Sequence, residues 1–187
     1  METAVIEKIS NVARVKADYA KSSFLKCFVY SMFAGAYIGI GITLIFTLGA
    51  QISGSEYTVG LTKLVMGASF GLALSMCIMC GSDLFTGNNL LMGVGAMTRR
   101  VSWLEAFHVW GINLIGNLAG SLLVAWIITM SGLLNNEQFG TFVVTMSANK
   151  ISPGFIPLFF RGALHRSYHL LSLQLQFQQA LQKILLF

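Results

Sequence analysis

The stretch Gly81-Ser82-Asp83-Leu84-Phe85-Thr86-Gly87-Asn88-Asn89 decides how this chain is read. It sets a carboxylate, two glycines and two asparagines between two apolar runs, residues 64–80 and 90–97. In lipid, backbone groups released by such a break need partners, so breaks occur where the backbone is buried in protein or lines a water-filled cavity. An ionisable group inside a membrane segment is by default a functional hypothesis. The alternative takes residues 64–82 as a complete short span and 83–89 as an ordinary loop. Residues 90–97 would then be an apolar segment too short to cross, set just before Arg99 and Arg100. The expectation is therefore an interrupted membrane helix.

The composition supports a membrane setting. Charged residues make up 10% of the chain and hydrophobic residues 55%, and the mean hydropathy is +0.71. Soluble domains carry about 25% charged residues. Residues 27–55, 64–82 and 106–136 contain no charge at all, and about 20 apolar residues suffice for a span. Spans are expected at residues 24–52, from residue 58 onward, and at residues 103–130. Trp103 and Trp126 fall near the two ends of the last, where aromatic belts lie.

A net charge of +5 and a pI near 9.3 would suit a nucleic-acid partner, but the charges sit elsewhere. Lys8, Arg14, Lys16, Lys21 and Lys26 precede the first span, and Arg99 and Arg100 follow the second. The opposite side has only Lys63, Lys150 and Arg161. Seven against three on alternating sides reads as a topology signal with a cytoplasmic N-terminus. No nucleic-acid partner is expected.

Residues 1–23 read as a cytoplasmic amphipathic helix rather than a secretory signal, whose apolar core would be about 7–15 residues and followed by a cleavage site. Val5, Ile9, Val12 and Ala13 share one helical face and Arg14 and Lys21 lie opposite, with Lys16 interrupting the apolar face. A solvated helix fits the same pattern. Cys77 and Cys80 are spaced CxxC, but without a second pair or an adjacent histidine they read as buried small hydrophobes, and no metal site is expected. Each span holds a GxxxG spacing: Gly35 and Gly39, Gly67 and Gly71, Gly116 and Gly120. Glycine is common in membrane helices, yet three such spacings predict close helix packing and an oligomer.

These residues resemble the formate/nitrite transporter family. The resemblance rests on Lys63-Leu64-Val65 through Phe70-Gly71, on residues 81–87, on residues 33–39, on Gly116-Asn117-Leu118-Ala119-Gly120, and on Lys150 with Arg161-Gly162-Ala163-Leu164. It implies an all-α polytopic protein of the inner (plasma) membrane: the first inverted repeat of an aquaporin-like six-helix channel fold, with a broken second helix. It also implies a homopentamer with one pore per protomer. Residues 24–164 would form the transmembrane domain, three spans and the start of a fourth.

The resemblance further implies that Leu84, Phe85 and Thr86 form the mobile loop of an inner constriction, with Leu74 packed against it and Phe70 at an outer one. Phe70 and Leu74 are one turn apart, about 6 Å along a helix. A small anion entering an apolar slit needs positive potential to offset lost water, and Lys150 matches the family's lysine for that purpose. Taken alone, Lys150 is equally a solvated loop lysine. The Thr86 hydroxyl and free amides where the helix resumes near Asn88 could donate to the anion. The apolar side chains could equally be ordinary bundle packing.

The chain also departs from the family. A central histidine belongs to the family's fifth helix, and His108, His165 and His169 do not match it. After Leu164 the family continues into an apolar span with an asparagine where Arg166 stands, whereas residues 165–187 form a divergent tail rich in glutamine. A reading-frame shift after Leu164 is the expectation, and an alternative frame should encode an apolar continuation.

The expected function is a channel or transporter for small monovalent anions, formate or nitrite, with residues 33–39 and 81–87 closer to the nitrite branch. A non-transporting fragment or structural subunit is the alternative. No GxxxxGK[ST] motif supports ATP-driven transport, and no HExxH or GxSxG motif, nor a pairing of Asp83 with Glu105, supports an enzyme. No catalytic residue and no cofactor is assigned.

Overall fold

The computed structural model describes residues 2–53, 58–162 and 164. Those residues form helices α1 (Glu2–Ser22), α2 (Phe24–Ser53), α3 (Val59–Met79), α4 (Phe85–Met97), α5 (Trp103–Met130) and α6 (Glu137–Ile151). A short 3-10 turn, Leu133–Asn135, joins α5 to α6, and residues 155–162 are again helical. The expected tail, with His165, Arg166 and His169, lies outside the described residues. Among the described residues, three helices are long and apolar enough to cross a membrane: Phe24–Ser53, Gly60–Met79 and Trp103–Met130.

Helix ends follow local chemistry. Ser102 and Glu105 form a reciprocal capping box at the start of α5. The Glu105 amide donates to Ser102 Oγ at 3.2 Å, and the Ser102 amide to Glu105 Oε2 at 2.7 Å. At the end of α3, Gly81 takes a left-handed φ of 65°. The Ser82 amide then donates back to the Cys77 carbonyl and the Gly81 amide to that of Ile78, a Schellman stop. The same stop ends α4, but there the left-handed residue is Arg99, with φ 60°. A side chain at this φ costs about 1 kcal/mol relative to glycine.

The α2–α5 crossing is the main seam of the bundle. A Cβ on Gly35 would stand 2.0 Å from the Asn117 carbonyl oxygen, and one on Gly120 would stand 1.9 Å from that of Met32. Only hydrogen fits there, so two of the expected GxxxG spacings set backbone against backbone. Gly67 and Gly71 of α3 behave differently. Nothing lies within 4 Å of a Cβ built on either, so the third spacing packs against no part of the described chain. α3 instead meets α2 where Gly41 abuts Ala73.

α1 docks on α4 and the start of α5. Its buried face is Ile9, Ser10, Ala13, Ala17 and Ala20, whereas Val12 is exposed and Val5 half-buried. The face is thus rotated from the expected one toward small residues, because α1 packs closely on protein: a Cβ on Gly95 would meet that of Ala13 at 2.5 Å. On the opposite side Arg14 is hydrogen-bonded to Asp18, and that bond holds the Asp18 carboxyl below its ordinary range. Cys77 is buried as expected, but Cys80 is exposed because it caps the open end of α3.

Candidate functional site

Between Met79 and Phe85 the chain leaves one helix and enters another, and the link is strapped by side chains of α1 and α5 and by a backbone carbonyl of α2. Asn117, near the middle of α5, donates its amide to the Ser31 carbonyl at 2.9 Å and to the Asp83 carbonyl at 3.0 Å. Its Oδ1 accepts the Phe85 amide at 3.0 Å. One side chain therefore ties α2, the link and the first turn of α4 together. The Asp83 amide reaches the Tyr30 carbonyl at 3.4 Å.

The Asp83 carboxylate is buried and doubly engaged. The Lys16 ammonium of α1 donates to it, and Asn88 Nδ2 donates at 3.3 Å from the next turn. Trp110 of α5 steadies that turn by donating its indole N–H to the Asn88 carbonyl at 3.2 Å. Lys16, which interrupts the apolar face of α1 in the sequence, is thus the counter-ion of the break. A charge in low dielectric persists only when paired, and this one is.

Three buried side-chain polar atoms have no partner among the described residues: Thr86 Oγ1, Asn89 Nδ2 and Asn113 Nδ2. Thr86 and Asn89 are three residues apart in α4, so they share a face of its first turns. The Thr86 and Gly87 amides lie in that first turn and have no intrahelical acceptor. Donors therefore gather at the positive end of the α4 dipole. Asn113 belongs to the α2–α5 seam, where its Oδ1 accepts from Ser31 Oγ at 2.8 Å.

The formate/nitrite transporter family profile matches residues 3–165. The chain belongs to the formate/nitrite transporter family. Its residues are 36% identical to a nitrite transporter of Escherichia coli over 165 residues, 88% of this chain and 59% of that protein. They are 31% identical to an uncharacterized transporter of Bacillus subtilis over 167 residues, 88% of this chain and 63% of that protein. A formate channel of Escherichia coli is 32% identical over 142 residues, 75% of this chain and 49% of the channel. A solved ion channel of the family superposes with a TM-score of 0.64 at 36% identity, covering 70% of this chain and 50% of that one. The chain thus spans between about half and just under two thirds of these relatives' length.

Within this family member, the residues singled out by sequence fall in three places. Leu84, Phe85 and Thr86 stand together at the break, with Leu84 as the N-cap of α4. The helix resumes at Phe85, three residues before the expected Asn88, because Asn117 caps the Phe85 amide. Phe70 and Leu74 are half-buried on α3, with Leu74 about 9 Å along the axis from Cys80. Lys150 is exposed in the last turn of α6, a helix held to α2 by Gln138, which donates to the Ala50 carbonyl at 2.8 Å. No ion pair joins Lys150 to another described residue.

Lys16 and Asn117 belong to the site but were not expected in it, and Asn89 was expected only as part of the break. The signal for Asn117 is present in the sequence: Asn113 and Asn117 are amides one turn apart in a charge-free span, and polar side chains there mark interhelical contacts.

Proposed function

We propose that this chain is a subunit of an inner-membrane channel or transporter for small monovalent anions of the formate and nitrite class. One observation carries the reading: at mid-height of α5, the break collects donors without acceptors, Thr86 Oγ1 and Asn89 Nδ2, both buried. Donors at a helix N-terminus suit an anion that has shed its water. The negative charge of Asp83 at the break is countered by Lys16. Relatives described as a nitrite transporter and a formate channel agree in substrate class.

In this reading α3 and α4 are one interrupted crossing, the broken second helix of an inverted repeat. α4 has 13 residues, about 20 Å of helix, too short to cross about 30 Å of hydrocarbon alone. Phe70 forms the outer slit, and Leu74 with Leu84, Phe85 and Thr86 forms the inner one. Lys150 draws anions toward the outer mouth. The N-terminus is cytoplasmic, on the side of the seven basic residues. The unpacked Gly67–Gly71 face of α3 is available to a neighbouring protomer of a homopentamer.

The test is anion flux in proteoliposomes. Formate and nitrite should cross faster than in empty vesicles, and Thr86→Ala and Asn89→Leu should each reduce the rate about tenfold or more, the loss of one hydrogen bond to a charge. Flux equal to that of empty vesicles, from correctly folded and inserted chain, overturns the reading.

A further inference from the structure

An open groove of about 670 Å³ lies where α4 turns into α5, bordered by Arg14, Arg99, Arg100, Ser102, Trp103 and Glu105. Its charges divide unequally. Glu105 is bound by Arg14 at 3.0 Å and by Lys21, and Asp18 is bound by Arg14. These two carboxylates are thereby spent on two cations of α1. Arg99 and Arg100 are exposed, and neither has an ion-pair partner among the described residues. The groove therefore keeps two uncompensated positive charges.

Beside it the surface turns apolar within one helical turn. Met97, Leu104 and Phe107 are 77%, 81% and 62% exposed, and Trp103 stands at the rim. An apolar surface beginning at a tryptophan, with arginines just outside it, has the layout of a membrane interface. The backbone adds a separate observation. Arg99 occupies a left-handed position at which α3 uses Gly81, so an arginine is kept there against a conformational cost.

We propose that this groove binds the headgroup of an anionic phospholipid. Arg99 and Arg100 engage its phosphate, and the acyl chains lie along Trp103, Leu104 and Phe107. Charge complementarity selects an anionic group, and the adjoining apolar face selects a lipid over a soluble phosphate. Basic pockets beside membrane helices take such headgroups, at about 1 kcal/mol per arginine, or about fivefold in affinity.

The experiment uses the full chain in neutral maltoside micelles and follows its unfolding temperature. It is titrated separately with phosphatidylglycerol, phosphatidylcholine and inorganic phosphate. Phosphatidylglycerol should raise the temperature in a saturable way, and the other two should not. Arg99→Gly relieves the left-handed strain, so it should fold at least as well as the parent while binding phosphatidylglycerol about fivefold more weakly. Adding Arg100→Gln should bring the loss to about thirtyfold, and Arg99→Lys should restore most of it. An unchanged phosphatidylglycerol response in the Arg99→Gly/Arg100→Gln protein overturns the proposal. So does an equal response to inorganic phosphate, which would make the groove a soluble-anion site.

Discussion

Lys16, on the first helix, is ion-paired with Asp83, the residue at which the chain crosses from α3 toward α4, although 67 residues separate them in sequence. The Asp83 side chain is 11% exposed and that of Lys16 is 29% exposed. The pair therefore lies at the edge of the protein interior, where an unpaired carboxylate costs far more than at the surface.

Removing either partner should destabilise the bundle unequally. Lys16→Met strands a buried carboxylate and should cost about 2–3 kcal/mol, while Asp83→Asn leaves a more exposed lysine and should cost less. The double variant should recover part of the loss, and a double-mutant cycle in detergent unfolding should return a coupling of about 1–3 kcal/mol. A coupling near zero would mean that the pair does not hold α1 to the break.

Asn117 makes three hydrogen bonds to backbone groups, one on α2 and one on each side of the break. At about 1 kcal/mol net for each, Asn117→Ala should lower stability by about 3 kcal/mol. Hydrogen exchange should locate the damage: protection at the Phe85 amide should fall more than at amides in the middle of α5.

Glycine substitutions should separate the two kinds of GxxxG spacing. Gly120→Ala drives a Cβ into the Met32 carbonyl and should cost about 3 kcal/mol or more. Gly71→Ala meets open space, so protomer stability should hold or rise by up to about 1 kcal/mol from helix propensity. If α3 packs against a neighbouring protomer, the same Gly71→Ala should shift the oligomer distribution in detergent. Sedimentation would detect the shift.

Helix extents were largely legible in the sequence, because charge-free stretches long enough to span have few alternatives. The spans expected at residues 24–52 and 103–130 correspond to α2 and α5 almost residue for residue. An interruption between two helices was legible from composition but its far edge was not: the helix was expected to resume near Asn88, and tertiary capping by Asn117 starts it at Phe85. The partner of Asp83 was not legible either, since nothing in the local pattern around Lys16 distinguishes a misplaced lysine from a counter-ion. Glycine spacing marked where helices can approach closely, and only the packed chain tells which of them do.

Gly81 offers a backbone test of the same region. With φ at 65°, Gly81→Ala should cost about 1–2 kcal/mol, even though a Cβ there meets no atom within 4 Å. Circular dichroism melts of Gly81→Ala and Gly81→Asn should differ, with asparagine retaining more stability because it tolerates the left-handed region.

The seat of α1 also constrains how the protein is made. α1 rests on α4 and the start of α5 and is pinned by residues 83 and 105, so the first helix to emerge during synthesis cannot settle until about four times its own length has followed. Until then its alanine face and Lys16 are unclaimed, and the ribosome-bound intermediate holds spans without their cover. A chain whose translation halts before Glu105 should therefore keep an N-terminus open to protease, and one extended past it should become resistant.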